Sequence, residues 1–167
     1  SGGTGPCHVS VDATGKCVLV ANYGPGSVAA LPIKTDGGLD AAATTIQHSG
    51  SSINLKRQAG PHAHFITPSP DNRFVLACDL GLDKVFFYKL DATHARLATN
   101  NRPRAVAYAV VPPGSGPRHL AFHPNGRFVY VINEMALTVT VFGYDAKRGA
   151  IRTATGCHSS PRKLSQR

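Results

Sequence analysis

Residues 116–144 read GPRHLAFHPNGRFVYVINEMALTVTVFGY, and this stretch decides the fold. It contains three runs rich in apolar, β-branched and aromatic residues, with short turn-forming segments between them. Asn125 and Gly126 stand between the first two runs, and an Asn-Gly pair between alternating apolar residues is a strong hairpin signal. The stretch therefore predicts three consecutive antiparallel strands. Neither here nor elsewhere in the chain does a sustained 3.6-residue period indicate a helix.

The same pattern occurs twice more. GPCHVSVDATGKCVLVANYGPGSVAALPI begins at Gly5 and GPHAHFITPSPDNRFVLACDLGLDKVFFYKL begins at Gly60, so the Gly-Pro starts are 55 (60 − 5) and 56 (116 − 60) residues apart. In each copy a Gly-Pro entry precedes a histidine, an alternating strand, a turn and two further strands. A fourth, weaker strand fits residues 44–48 of the first unit and residues 105–111 of the second.

Four antiparallel strands in a unit of about 55 residues are typical of a β-propeller blade. We therefore predict an all-β propeller of four-stranded antiparallel blades, with blades that begin near residues 5, 60 and 116 in a domain over residues 1–151. Propellers close a ring of about four to eight blades. Because three blades leave two sheet faces uncovered, we expect the chain to be part of a longer propeller whose missing blades cover them.

The positive charge is concentrated near the end of the chain. The formal net charge is +9, and six of the 18 basic residues fall within residues 147–167, which contain no Asp or Glu. Residues 1–146 therefore hold twelve basic residues (18 − 6) against nine acidic ones, a net charge of +3 (12 − 9). We expect a solvated basic tail over residues 152–167, outside the fold. Since no basic face is combined with an aromatic stacking platform, no nucleic-acid partner is expected.

The sequence also bears on membrane association, on metal binding and on the cellular location of the protein. No apolar run approaches the roughly 20 residues that cross a bilayer, so no membrane partner is expected. The cysteines at positions 7, 17, 78 and 157 form neither a CxxC pair nor a zinc-knuckle spacing, which argues against structural zinc. The chain opens without Met or a signal-like segment, so we expect the interior of a longer protein. We expect a cytoplasmic location, and the expected truncation of the N-terminus leaves an exported parent open as the alternative.

One histidine stands near the entry of each unit. His8, His64 and His119 lie 56 and 55 residues apart (64 − 8 and 119 − 64), and we align them as one repeated position at the start of the innermost strand. That position lies near the mouth of the central channel, where ligand sites are common. Repetition equally favours a structural role, in which each imidazole bonds to the backbone of a neighbouring blade. Both interpretations stay open.

Three residues break the repeat: His62, Arg118 and Glu134. Glu134 is the one Glu of the chain, and closure of the hairpin predicts that it neighbours Arg118. Unrepeated polar residues at a repeated channel position indicate a site built on a symmetric scaffold, and a plain ion pair is the alternative. A metal at His62-x-His64 would need His119 or Glu134 as a third ligand and is the least favoured interpretation. The chain has neither a GxSxG motif nor a glycine loop between a strand and a helix.

RQAGPHAHFITPSPDNRFVLACDLGLDKVFFYKL (residues 57–90), together with GPRHLAFHPNGRFVYVINE (residues 116–134), resembles the lactonase family of seven-bladed β-propellers. That family includes propeller-type 6-phosphogluconolactonases and fungal carboxymuconate-lactonizing enzymes. The resemblance spans about residues 4–151, and the tail departs from it. It implies a seven-bladed parent that hydrolyses a sugar lactone, most simply as a 6-phosphogluconolactonase, while the isolated chain has little or no activity. A carboxymuconate-type cycloisomerase and a non-catalytic propeller that binds a ligand or protein remain alternatives.

The resemblance to the lactonizing branch also implies the site. The family's catalytic histidine, arginine and glutamate map to His64, Arg118 and Glu134, and a second family arginine has no counterpart in this chain. A neutral histidine suits the activation of water, and an arginine suits the developing oxyanion, so neither a metal nor an organic cofactor is required. We expect a small anionic lactone or sugar acid as the partner. The expected substrate contacts are His62, Arg57, Gln58, His119, Asn133 and Asp79.

Overall fold

Thirteen strands form three antiparallel sheets in the computed structural model, which describes residues 1–99 and 107–158, the last six by their backbone. Blade 1 contains β1 (Pro6–Val11), β2 (Cys17–Asn22), β3 (Ser27–Pro32) and β4 (Thr44–Gln47). Blade 2 contains β5 (Ala63–Pro68), β6 (Phe74–Asp79), β7 (Lys84–Asp91), β8 (Arg96–Thr99) and β9 (Tyr108–Val110). Blade 3 contains β10 (Pro117–Phe122), β11 (Phe128–Asn133), β12 (Thr138–Asp145) and β13 (Ala150–His158).

Apart from β9, which pairs with β7, the strands of each sheet pair in chain order, as they do in a propeller blade. This arrangement confirms the all-β fold of four-stranded antiparallel blades. Over the described ranges the chain has no apolar helix of membrane-spanning length.

The outer strands differ most from the prediction. In blade 2 the outer edge is divided, because β8 pairs with one end of β7 and β9 pairs with the other. Strand β9 falls within the predicted strand over residues 105–111, of which 105 and 106 lie outside the described residues. Strand β8 was not predicted.

The last strand extends beyond the predicted end of the domain. Strand β13 pairs with β12 as far as His158, so residues 152–158, predicted to lie outside the fold, continue the third sheet. Ladder hydrogen bonds join backbone groups, which explains why this strand needs no side-chain alternation. Residues 159–167 of the predicted tail lie outside the described residues.

The first turns of the three blades share one backbone geometry. Gly15, Asn72 and Gly126 hold equivalent positions with φ values of 69°, 57° and 67°. Each donates its backbone N–H to the carbonyl three residues earlier. Glycine and asparagine adopt this left-handed conformation more readily than other residues, which is why the predicted turns carry them.

A β-bulge interrupts the first hairpin of every blade at its entry. In each case the inner strand holds one extra, unpaired residue. The residues on either side of it pair with two adjacent residues of the second strand. The pairs before the bulge are Pro6 with Asn22, Ala63 with Asp79, and Pro117 with Asn133; the pairs after it are His8 with Ala21, Phe65 with Cys78, and His119 with Ile132.

This register corrects the alignment of the histidines. The bulged residues are Cys7, His64 and Arg118, so His64 corresponds to these and not to His8 and His119. The entry of blade 2 holds two more residues between its Gly-Pro and the bulge than the other entries do. Counting residues from the Gly-Pro therefore aligned His64 with the wrong residues of the other two blades.

Alternate residues of β6 hold the three blades together. Val75 and Ala77 pack against β2 and β3 of blade 1, whereas Leu76 and Cys78 pack against β11 and β12 of blade 3. All four are completely buried, as expected for a central strand with period-2 side chains. The packing places the inner strands β1, β5 and β10 side by side and brings their bulges to one end of the molecule.

Candidate functional site

The bulges of blades 2 and 3 place His64 and Arg118 in contact. Arg118 Nε donates to His64 Nε2 at 3.1 Å and lies 3.2 Å from Glu134 Oε2. Glu134 directly follows β11, and its backbone N–H donates to the carbonyl of Gly116 at 2.8 Å, which holds it beside the entry of blade 3. The structure therefore places Arg118 and Glu134 next to each other, as hairpin closure predicts.

Arg57 reaches the same carboxylate from the loop that connects blades 1 and 2. Its terminal nitrogen lies 2.8 Å from Glu134 Oε1, so each oxygen of Glu134 faces a different guanidinium. The hydrogen bond from Arg57, followed by the charge of Arg118, holds the pKa of Glu134 below its ordinary value in spite of partial burial. We call Arg57, His64, Arg118 and Glu134 the mouth cluster. It carries one net positive charge when His64 is neutral.

His64 is half-buried and suited to act as a neutral base. Burial is the largest influence on its pKa and lowers it, and the nearby charge of Arg118 acts in the same direction. Because the guanidinium donates to Nε2, the bonding pattern assigns the proton to Nδ1. The lone pair of Nε2 therefore faces the mouth cluster.

His62 lies against Tyr23 of blade 1. The two rings stack with centroids 4.4 Å apart and planes 12° apart, and His62 Nδ1 is 3.0 Å from the Tyr23 carbonyl oxygen. Since that carbonyl can only accept, Nδ1 donates and Nε2 is left as an acceptor. Tyr23 also stands edge-on to His64 at 5.6 Å. Sequence reasoning did not include Tyr23 in the site, although its position one residue after β2 matches that of Glu134 after β11.

A row of aromatic rings continues from His64 along the inner strands. The His119 ring is 5.2 Å from that of His64 and 5.9 Å from that of His8, and Phe65 contacts both His8 and His119. Burial lowers the pKa of His8 and of His119. His8 Nδ1 also accepts the backbone N–H of Ile66 at 3.4 Å, which supports the structural interpretation for this histidine.

Three predicted substrate contacts do not reach the mouth cluster. Gln58, Asp79 and Asn133 are at most 1% exposed. Gln58 donates to the carbonyl of Leu80 at 2.9 Å, and Asn133 donates to two threonine hydroxyls of its own blade. Asp79 and Asn133 end their strands with buried side chains, which residue spacing alone did not show.

The two histidines of the His-x-His pair have separate partners. His62 is held by Tyr23 and His64 by Arg118. Over the described ranges the chain contains no group of three or more histidine, cysteine or acidic residues arranged to hold a metal ion.

Comparison with known proteins relates this geometry to one family. The family described as "Lactonase, 7-bladed beta-propeller" matches residues 1–167, which includes the tail that the sequence resemblance left out. A 6-phosphogluconolactonase of Bacillus subtilis is 37% identical over 150 residues, which cover 90% of this chain and 40% of that protein. The chain thus spans less than half the length of the curated relatives it matches.

Solved structures agree with these sequence matches. The periplasmic gluconolactonase PpgL of Pseudomonas aeruginosa superimposes with a TM-score of 0.80 at 34% identity, over 96% of this chain and 44% of that one. A protein from Lactobacillus plantarum gives a TM-score of 0.80 at 32% identity, over 89% of this chain and 41% of that one.

Proposed function

Because the chain belongs to the lactonase family of seven-bladed β-propellers, we propose that the full-length protein hydrolyses a sugar lactone of the 6-phosphogluconolactone type. The observation that carries the proposal is the position of Arg118, whose guanidinium contacts both a half-buried histidine and an ionised carboxylate. Three blades form the described part of the family's ring of seven. The remaining blades belong to the proposed enzyme, and the isolated 167-residue chain is expected to be nearly inactive.

The hydrolysis follows from the chemistry of the mouth cluster. As the lactone binds, the Arg118 N–H turns from His64 Nε2 to the lactone carbonyl oxygen, which frees the Nε2 lone pair. His64 Nε2 then removes a proton from water, and the oxygen of that water attacks the lactone carbonyl carbon. Arg118 stabilises the oxyanion of the tetrahedral intermediate. When the intermediate collapses, the bond between the carbonyl carbon and the ring oxygen breaks, and the leaving oxygen takes the proton from His64. One water is consumed, and the product is the open-chain hydroxy acid.

Glu134 keeps Arg118 in place during this reaction. Its lowered pKa keeps it ionised near neutral pH, so it acts as a fixed negative partner for the arginine. A half-exposed guanidinium such as that of Arg57 is suited to bind the phosphate or carboxylate of an anionic substrate. We expect His62 Nε2 and the partly exposed ring of His119 to contact substrate hydroxyls.

The test is the hydrolysis of 6-phosphogluconolactone by the full-length protein, corrected for the spontaneous rate. We expect His64→Ala and Arg118→Ala each to lower kcat/KM by about 10²- to 10⁴-fold, the range for removal of a general base or an oxyanion donor. Circular dichroism checks that both variants stay folded. Unchanged turnover in both variants would exclude these residues from the chemistry.

The same assay separates the alternatives. Turnover of a carboxymuconate substrate in place of the lactone would indicate a cycloisomerase, and lactone binding without turnover would indicate a non-catalytic propeller. A cytoplasmic location stays a prediction, since one matched structure is a periplasmic protein.

A further inference from the structure

Three buried polar side chains are hydrogen-bonded in a row between blades 1 and 2: His48 directly follows β4, whereas Asp79 and Tyr88 lie on β6 and β7. Asp79 Oδ2 is 2.6 Å from His48 Nδ1, and His48 Nε2 is 2.6 Å from the Tyr88 hydroxyl. Asp79 is completely buried, and His48 and Tyr88 are at most 4% exposed. None of the three takes part in the proposed reaction.

The hydrogen bonds of this row run in one direction. A carboxylate only accepts, so His48 donates from Nδ1, and in the neutral ring Nε2 then accepts from the Tyr88 hydroxyl. Burial, and then the charge of Asp79, raises the pKa of Tyr88, so its hydroxyl keeps the proton that it donates. Tyr88 therefore orients His48, His48 orients Asp79, and this row of hydrogen bonds ends at the Asp79 carboxylate.

The repeat itself provides a control for this charge. The residues equivalent to Asp79 are Asn22 and Asn133, which donate to neutral hydroxyls of their own blades. A buried carboxylate costs more to desolvate than a buried amide, and a buried ion pair is weak evidence for stability. Since blades 1 and 3 fold with the amide, the blade architecture does not require the charge. The charge therefore serves something particular to blade 2.

The particular feature of blade 2 is its lengthened entry, and Asp79 binds it directly. Asp79 Oδ1 accepts the backbone N–H groups of His62 at 2.8 Å and of Gly81 at 3.0 Å. The carbonyl of His62 accepts the N–H of Leu80 at 2.9 Å. A Cβ added at Gly81 would collide with the carbonyl oxygen of Gly60, so the entry lies flat against the turn after β6. The backbone of His62 is thus fixed from both sides.

We infer that Asp79, oriented by His48 and Tyr88, is the positioning residue of the site, because it holds the entry over residues 60–64 from which His62 and His64 project. Asp79 acts through the backbone of His62 and does not touch the substrate. This inference rests on the proposed function for its catalytic consequence. Its structural part, the placement of His64 against Arg118, is measurable without turnover.

The test uses Asp79→Asn in the full-length protein. An amide has one acceptor oxygen, so it cannot accept both the backbone N–H groups of the entry and the N–H of His48 Nδ1 as the carboxylate does, and the entry loosens. His64 then becomes more hydrated and moves away from Arg118, while His119 and Glu134 are the other charged or titratable groups near it. We expect the His64 titration, followed by NMR of the imidazole, to move up towards the ordinary value of 6.5. We expect kcat to fall by about 10- to 100-fold, as for a small misplacement of a catalytic group.

Tyr88→Phe is the second variant, in case Asp79→Asn does not fold, and it should shift both readouts in the same direction. Tyr144→Phe removes a hydroxyl from a buried tyrosine of blade 3 and serves as the matched control. The inference is overturned if a folded Asp79→Asn or Tyr88→Phe variant keeps the wild-type His64 titration, or if Tyr144→Phe shifts it equally. A wild-type protein that hydrolyses no lactone, in which Asp79→Asn still shifts the titration, would refute the proposed function and support the positioning role.

Discussion

The two carboxylate oxygens of Glu134 face two different arginines, Arg57 and Arg118, whose surroundings differ. Arg118 also donates to His64, whereas Arg57 comes from a loop and is about half exposed. A substrate anion that displaces Glu134 from Arg57 does not compete for the N–H that Arg118 directs at His64. We therefore expect Arg57, and not Arg118, to bind the anionic group of the proposed substrate.

We expect Arg57→Ala to lower kcat/KM for a phosphorylated lactone about 10- to 100-fold more than for the corresponding neutral lactone. A charge-assisted hydrogen bond contributes about 1.5–3 kcal/mol, and about 1.4 kcal/mol corresponds to a factor of ten. The measured quantity is the ratio of the two kcat/KM values. The neighbouring cation Lys56, changed to Ala, is the control and should leave the ratio nearly unchanged. An equal loss for both lactones would mean that Arg57 does not select the anion.

At this scale the sequence predicts contacts inside one hairpin better than contacts between loops. The neighbourhood of Arg118 and Glu134 follows from closure of a tight turn. The bond from Arg57 to Glu134 joins residues 77 positions apart, and no spacing rule reaches that far. The pairing of Asp79 with Ala63 depends on the bulge at the entry of blade 2, and the two additional residues after its Gly-Pro hide that bulge from an alignment by spacing.

At the scale of the element, Asp12 closes the first turn of blade 1. Its carboxylate accepts the backbone N–H groups of Thr14, Lys16 and Cys17 and the side-chain amide of Asn72 in blade 2. Burial alone would raise its pKa, but hydrogen bonds from Thr14, Asn72 and the backbone outweigh it and hold the pKa at about 2. One side chain thus stabilises a turn and the contact between two blades.

We expect Asp12→Ala to lower the free energy of unfolding by about 2–3 kcal/mol, because buried donors lose their acceptor. The contribution of Asp12 is present above its ordinary pKa of 3.8 and is lost as the pH falls towards 2. Urea unfolding at pH 7 and at pH 3 measures both effects. Asp36→Ala, which removes an exposed turn carboxylate, should cost less than about 0.5 kcal/mol. Equal losses for the two variants would contradict this account.

The inner three strands of each blade are predictable from the sequence, and the outer strand is less so. Turn residues and alternating apolar runs define the hairpins from β1 to β3, β5 to β7 and β10 to β12. Strands β8 and β13 lie at sheet edges, where backbone pairing suffices and apolar alternation is weak. Composition therefore gives little sign of them.

At the scale of the whole molecule, three histidines lie along the inner strands with a lowered pKa. Burial is the first cause for His8, His64 and His119, and repulsion from neighbouring cationic groups adds to it. The unfolded chain therefore binds these protons more readily than the folded protein does. Stability from this source is fully present above pH 6.5 and is lost as the pH falls through the lowered values.

We expect the melting temperature of the full-length protein to fall between pH 7.5 and pH 5.5, and His119→Gln to reduce that fall. Differential scanning calorimetry at several pH values measures the slope. His94→Gln, at an exposed turn of blade 2, is the control and should keep the wild-type slope. A slope that His119→Gln leaves unchanged would show that this row of rings does not govern the pH dependence.

The bulge at the entry of each blade has an evolutionary consequence. A bulged residue stands outside the pairing of its strand, so its side chain can be replaced without moving the register of the sheet. In these three blades that position already holds a thiol, an imidazole and a guanidinium, at Cys7, His64 and Arg118. Single substitutions at these three positions can therefore change the chemistry of the site while the pairing of the strands stays the same.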